Sequence, residues 1–155
     1  TIASPQGEKG KRWGDGSVEI TEVTILDRSD QQKFTFECGE PCVIEMHCQK
    51  HRSVASLVFG IAIYRIDDLW CYGTNTFIDR HPVDVEELGE EIVVRFNIDK
   101  LNLVEGEYYI NVASTDGLGT QYDYIVRRIS FTMYSNVKEA GVCRLDHSWE
   151  VSKNM

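Results

Sequence analysis

The sequence predicts an all-β protein, an antiparallel β-sandwich of about eight strands. Apolar and polar residues alternate with a period of two in one segment after another, as in strands that bury one face. Turn-forming residues separate these segments at intervals of about ten residues. No segment shows a convincing helical period, so a sheet-on-sheet architecture is favoured over a mixed one.

The chain is predicted to divide into a linker at residues 1–16 and one folded domain at residues 17–155. The first segment contains Pro, Gly, Lys and Arg without any apolar period, which is typical of a linker. The first strand then alternates from Val18 onward, but the alternation slips by one residue at Thr21-Glu22. Such a slip predicts a β-bulge at that position.

The next strands are predicted around Phe34 and Phe36, from Cys42 to Cys48, and from Leu57 to Tyr64. The last of these has one face of large apolar residues and one face of small residues that ends in an aromatic ring. The inward face consists of Leu57, Phe59, Ile61 and Ile63, and the outward face of Val58, Gly60, Ala62 and Tyr64. An Asp67-Asp68 turn leads to a further strand that contains Trp70 and Tyr72.

The second half of the chain predicts a long loop at residues 79–89 and three more strands. The segment 101–106 has the character of a turn that carries the chain from one sheet to the other. The inward residues of these strands are predicted to be Ile92, Val94, Phe96 and Ile98, then Tyr108, Ile110 and Val112, then Ile129, Phe131 and Met133.

The tail from residue 141 to 151 alternates again, although the sandwich is already complete. Its apolar positions include Leu145, Trp149 and Val151. An apolar terminal strand needs a partner, because otherwise its edge and its side chains are exposed. It could pair within its own sheet, or it could cross to a second copy and form a swapped homodimer.

Composition limits the partners of this protein. The 155 residues include 25 acidic and 16 basic side chains, which gives a net charge of −9. Nucleic acids and anionic membrane surfaces select for Lys and Arg patches, so neither is expected as a partner. Neutral glycans and proteins remain possible, and no stretch approaches the roughly 18–20 apolar residues of a membrane helix.

The five cysteines predict neither a disulfide framework nor a metal site. Their number is odd, their spacings are mixed and no Asn-x-Ser/Thr sequence occurs, so a reducing, cytoplasmic compartment is expected. Cysteine and histidine do crowd into fourteen residues, at Cys38, Cys42, His47, Cys48 and His51. Because Cys42 and Cys48 share a strand face with apolar residues, we interpret them as buried side chains and not as zinc ligands.

No motif indicates an enzyme, and no cofactor is predicted. The chain has no Gly-x-Ser-x-Gly elbow, no His-Glu-x-x-His and no phosphate-binding glycine loop. Paired acids such as Asp67-Asp68 point apart on a turn, so they do not form the facing carboxylates of a glycosidase.

Aromatic and polar side chains on the outward strand faces predict a sugar-binding platform. Sugar rings stack on Tyr and Trp, while sugar hydroxyls need polar partners on a rigid scaffold. The same features could form a plain dimer contact, since exposed tyrosines are common on strands. The candidate carbohydrate-binding residues are Tyr64, Trp70, Tyr72, Tyr109, Asn111, Arg128, Thr132 and Tyr134.

Several sequence blocks resemble one protein family over nearly the whole chain from Arg12 onward. That family is the C-terminal carbohydrate-binding domain of the ATP-binding subunit (Wzt-type) of bacterial O-antigen polysaccharide ABC exporters. The matching blocks are Arg12-Trp13-Gly14-Asp15-Gly16, Val58-Phe59-Gly60-Ile61-Ala62-Ile63, Tyr72-Gly73-Thr74-Asn75-Thr76, Gly106-Glu107-Tyr108-Tyr109 and His147-Ser148-Trp149.

The resemblance implies an immunoglobulin-like sandwich that dimerises, with its last strand exchanged between subunits. It also implies recognition of lipid-linked O-antigen polysaccharide on the cytoplasmic side of the inner membrane. The implied partners are an N-terminal nucleotide-binding domain, which carries the ATPase activity, and the transmembrane permease. No Walker motif occurs in this sequence, so no ATPase activity is expected here.

Overall fold

The computed structural model describes residues 11–153, which form nine β-strands and no helix. No helix in this part of the chain could therefore cross a membrane. The strands are β1 (Arg12–Trp13), β2 (Val18–Leu26), β3 (Thr35–Glu37), β4 (Cys42–Lys50), β5 (Val58–Arg65), β6 (Trp70–Asn75), β7 (Glu91–Ile98), β8 (Gly106–Thr115) and β9 (Gln121–Tyr134).

The strands form two sheets of unequal width, which confirms the predicted all-β sandwich. The larger sheet has the order β1-β9-β8-β5-β6, and β3 pairs with the later part of β9. The smaller sheet has the order β2-β4-β7. Neighbouring strands are antiparallel except for β3, which runs parallel to β9. Because the smaller sheet has only three strands, it covers the larger one incompletely.

The core lies between the inner faces of the two sheets, and the predicted strand faces are confirmed in β5. Leu57, Phe59, Ile61 and Ile63 are all buried in this core. The register of β2 against β4 shifts between Ile20 and Glu22, so the predicted bulge is also confirmed.

The predicted turn between the sheets is confirmed by the crossing from β7 to β8. Tyr108 donates a hydrogen bond from its hydroxyl to the carbonyl of Val104 at 2.7 Å. This contact back to the chain a few residues upstream is the tyrosine corner of β-sandwiches. It anchors the turn against the start of β8.

One side of the sandwich is closed by polar contacts to the edge strand β2. The carboxylate of Asp123 on β9 accepts hydrogen bonds from the backbone N–H of Ile20 at 2.8 Å and from the guanidinium of Arg12. Ser114 on β8 donates to the carbonyl of Val18 at 2.7 Å. These bonds satisfy backbone groups that an edge strand otherwise leaves unpaired.

The two ends of the domain differ from the sequence-based expectation. Arg12–Trp13 form β1, so the segment expected to be a linker contributes a strand; residues 1–10 lie outside the described residues. The expected strand at 141–151 is not formed; a β-bridge between Leu103 and Cys143 and an ion pair between Lys100 and Asp146 tie this tail to the domain. Alternation alone does not create a strand, because a strand also needs a free partner edge.

Candidate functional site

A row of stacked side chains crosses the outer face of the larger sheet. Tyr64 on β5 lies beside Tyr109 on β8, with ring centroids 5.3 Å apart and planes 5° from parallel. Trp70 stacks on the other side of Tyr64 at 6.0 Å, and the guanidinium of Arg127 lies 4.4 Å from the Tyr109 ring. We call Trp70, Tyr64, Tyr109 and Arg127 the outer-face stack.

The turn between β5 and β6 covers the end of the outer-face stack that is formed by Tyr109 and Arg127. The hydroxyl of Tyr109 donates to the carboxylate of Asp68 at 2.8 Å, and Arg127 donates to the carbonyl of Ile66 at 3.2 Å. Burial and the Asp68 contact together raise the pKa of Tyr109 to about 12. The Nε atom of Arg127 is buried without a hydrogen-bond partner among the described residues. The two hydrogen bonds from Tyr109 and Arg127 to the turn hold this end of the stack rigid.

The outer end of the stack is open to solvent at Trp70. The Trp70 side chain is 65% exposed, and its Nε1 donates to the carbonyl of Tyr72 at 3.2 Å. Its ring lies against Gly73, where an added Cβ would come within 2.9 Å of Nε1 and 3.0 Å of Cζ2. The glycine therefore allows the indole to lie along the strand, leaving an exposed apolar surface that can stack on a ligand.

The expectation that Tyr64, Tyr109 and Asn111 face solvent is wrong. All three lie on the outer face, but they are only 3%, 0% and 1% exposed. Asn111 accepts a hydrogen bond from the backbone N–H of Arg127 at 2.9 Å, where β9 bulges and Arg127 takes a positive φ of 51°. Neighbouring rings and this bulge cover positions that alternation alone marks as outward.

The other predicted residues are spread over the surface. Tyr72 is exposed, but it stands opposite Ile63 and so belongs to the inner side of the edge strand β6. Arg128, Thr132 and Tyr134 lie along β9, half-buried or exposed, and within residues 11–153 no hydrogen bond, ion pair or ring contact joins them to the outer-face stack. Their role in sugar binding stays a prediction.

Sequence reasoning missed two features of this region. Arg127 was not singled out, because an arginine in a strand carries no local sign that a bulge will turn it onto a tyrosine. Trp13 and Tyr124 stack at 4.4 Å, beside Ala113 on the same outer face. Only the opening sequence block hinted at Trp13, and its partner is more than one hundred residues away.

A cleft on the open side of the sandwich was also not predicted. It lies between the edge strands β6 and β7, beneath the loop that joins them, and has a volume of about 750 Å³. Its apolar lining includes Phe59, Ile61, Val94 and Phe96, and its polar lining comes largely from the loop. The long acidic loop at 79–89 was the signal in the sequence, but its position above an uncovered edge was not visible there.

Two of the five cysteines pack in the core like hydrophobic side chains. Cys42 and Cys48 are buried in the core, where burial raises the pKa of each thiol to about 12. Within residues 11–153, no group of three or more potential metal ligands converges.

Comparisons with known proteins agree with this geometry. The family model of the Wzt C-terminal domain matches residues 9–145. The crystal structure of the C-terminal domain of wzt aligns with a TM-score of 0.83 at 20% sequence identity, covering 96% of this chain and 93% of that chain. No curated protein matches the sequence.

A further solved structure, the CARDB domain of a Pyrococcus furiosus protein, aligns at 12% identity over 75% of this chain and 90% of that chain. Its TM-score of 0.37 is too low to indicate a shared fold. The wzt structure shares the fold, and the family model covers most of the sequence. The chain therefore belongs to the Wzt C-terminal domain family.

Proposed function

We propose that this chain is a non-catalytic carbohydrate-binding domain that recognises lipid-linked O-antigen polysaccharide for export by an ABC transporter. In this proposal it works at the cytoplasmic face of the inner membrane, beside an N-terminal nucleotide-binding domain and the transmembrane permease. Family membership supports the transporter setting. The net charge of −9 is consistent with a ligand that needs no basic patch.

The observation that carries the proposal is the exposed Trp70 ring on a rigid support. Its ring is held by contacts with Gly73 and with the Tyr64 ring, so little conformational entropy remains to be lost on binding. We assign the stacking contact with a sugar ring to Trp70. Tyr64 and Tyr109 support it from beneath, because their burial excludes direct contact with a sugar in this conformation.

The proposal is tested by isothermal titration with O-polysaccharide released from the lipopolysaccharide of the source bacterium. Trp70→Ala is expected to weaken binding by about 1–3 kcal/mol, which is roughly 5- to 150-fold in Kd. The matched control is Leu118→Ala, which removes an even more exposed apolar side chain from the β8–β9 loop. Absence of binding by the unmodified domain, or equal effects of both variants, would contradict the proposal.

The second candidate function is that of a dimerising domain that binds no sugar. The exposed apolar side chains of the tail favour dimerisation. Leu145, Trp149 and Val151 are among the most exposed apolar side chains of the described residues. Such a surface is typical of a contact with another chain. We propose that this tail pairs with a second copy, and that dimerisation accompanies sugar binding and does not replace it.

The mass in solution, measured by light scattering, tests this second proposal. The unmodified chain is expected at twice 17.7 kDa. A variant that ends after Tyr134 is expected to be monomeric while keeping the far-ultraviolet dichroism of a β-protein. A stable dimer without the tail would rule out an exchanged terminal strand.

A further inference from the structure

The cleft between β6 and β7 exists because the sandwich is closed on only one side. On the opposite side, Asp123 and Ser114 join the larger sheet to the edge strand β2. Between β6 and β7 the sheets diverge, leaving the cleft of about 750 Å³. This volume lies within the range of clefts that bind small ligands, about 300–1,000 Å³.

The floor of the cleft is apolar and incompletely covered. Val94 and Phe96 on β7 stand opposite Met46 and Ile44 on β4 and share their inner face. Yet Met46 and Ile44 are fully buried, whereas Val94 and Phe96 are only half-buried, because no strand of the larger sheet lies above them. These two side chains therefore offer apolar surface to a ligand at no cost in core packing.

The rim of the cleft presents hydrogen-bonding groups with unused capacity. The side chains of His81 and Glu87, both on the loop, border it and make no hydrogen bond or ion pair within residues 11–153. Asp79 accepts a hydrogen bond from the hydroxyl of Thr74 at 3.0 Å, which fixes the orientation of its carboxylate. The rim can thus accept hydrogen bonds from several ligand hydroxyls.

The charge of the lining excludes an anionic ligand. Asp79, Asp84 and Glu87 all line the cleft. Arg95 is the one Arg or Lys among the lining residues, and its guanidinium already bonds the carboxylates of Asp30 and Glu45 at 2.6 Å each. A carboxylate or phosphate placed here would meet like charges without a free cation to offset them.

From this combination we propose that the cleft binds one neutral, hydroxyl-rich sugar residue, with its apolar ring face on Phe96 and its hydroxyls on His81 and Glu87. The inference rests on the proposed function and adds a second contact region to it. Trp70 and Asn75 are the two ends of β6, about 17 Å apart along a strand, and Asn75 borders the cleft. One glycan chain can therefore contact Trp70 and enter the cleft.

The test is isothermal titration of the full chain with the same released O-polysaccharide. Glu87→Ala and His81→Ala remove exposed loop side chains and are expected to keep the fold. Each is expected to weaken binding about tenfold, as for loss of one or two hydrogen bonds to a ligand. The matched control is Glu86→Ala, the same change at the adjacent exposed loop residue that does not line the cleft, and it should leave Kd unchanged.

The outcomes separate this inference from the proposed function. If the unmodified chain binds and Trp70→Ala weakens binding, but both cleft variants bind normally, the cleft inference fails and the proposed function stands. If the unmodified chain does not bind at all, both fail. A neutral ligand also predicts a Kd that is nearly constant between about 0.05 and 0.5 M salt, so a steep salt dependence would overturn the assignment to a neutral sugar.

Discussion

Replacing Asp123 by alanine tests whether the closed side of the sandwich depends on one buried carboxylate. The Asp123 side chain is 6% exposed and accepts hydrogen bonds from the Ile20 N–H and from the Arg12 guanidinium. Alanine leaves the Ile20 N–H buried without a partner, which costs about 1–3 kcal/mol. Arg12 is 43% exposed and returns to water, so the lost ion pair adds only about 0–1 kcal/mol.

The expected destabilisation is therefore about 1–4 kcal/mol. For a domain of this size that corresponds to a fall in Tm of about 2–16 °C. The assay is urea unfolding followed by circular dichroism, with thermal unfolding as a second measurement. A loss below about 1 kcal/mol would show that water or a rearranged β2 replaces the Asp123 contact.

Arg12→Ala provides the sharper half of this experiment. It removes the cation that pairs with the nearly buried Asp123 carboxylate. We therefore expect it to cost about 3–5 kcal/mol, although Arg12 itself is partly exposed. The double variant has no unpaired charge and should be close to Asp123→Ala alone. Additivity of the two single changes within about 0.5 kcal/mol would refute the coupling.

Three further predictions follow from individual contacts. Gly73→Ala should displace the Trp70 ring, because its Cβ would fall within 2.9 Å of the indole; a shifted tryptophan emission and weaker glycan binding would reveal this, and an unchanged spectrum would contradict it. Cys42 and Cys48, with pKa values of about 12, should resist a thiol reagent at pH 8 until urea unfolds the protein, whereas rapid labelling of all thiols in the native state would refute their burial. Asp116 accepts hydrogen bonds from backbone N–H groups of its own loop, which lower its pKa in the folded state. Its stabilising contribution is thus complete above its ordinary pKa of 3.8 and lost as pH falls below it, so Asp116→Asn should flatten the acid limb of a pH–stability curve.

Part of the candidate site was predictable from the sequence, and the wrong predictions all concern how exposed its side chains are. Alternation placed Tyr64 and Tyr109 correctly on the outer face of the larger sheet, and the register between β5 and β8 does put them side by side. Their burial was not predictable, because the covering groups are Arg127 and the turn at Asp68, which are distant in sequence or in a different element. Trp70, at the edge of the sheet, is exposed, as its proposed role requires.

The sequence by itself determined the class of fold, the inward faces of β2, β4, β5 and β8, and the bulge at Thr21-Glu22. These features depend on a period of two and on local turn chemistry, and both are properties of a few consecutive residues. The family resemblance was also contained in short local blocks, and the match over residues 9–145 confirms it.

Only the tertiary structure decided which outward residues reach solvent, which side of the sandwich stays open and where the tail lies. Tyr109 is buried although it faces outward, and Phe96 is half-exposed although it faces inward. Exposure depends on what lies opposite a side chain, and that neighbour comes from a distant part of the chain. A local pattern carries no information about such a neighbour, so the shape of the binding surface emerges only when the two sheets meet.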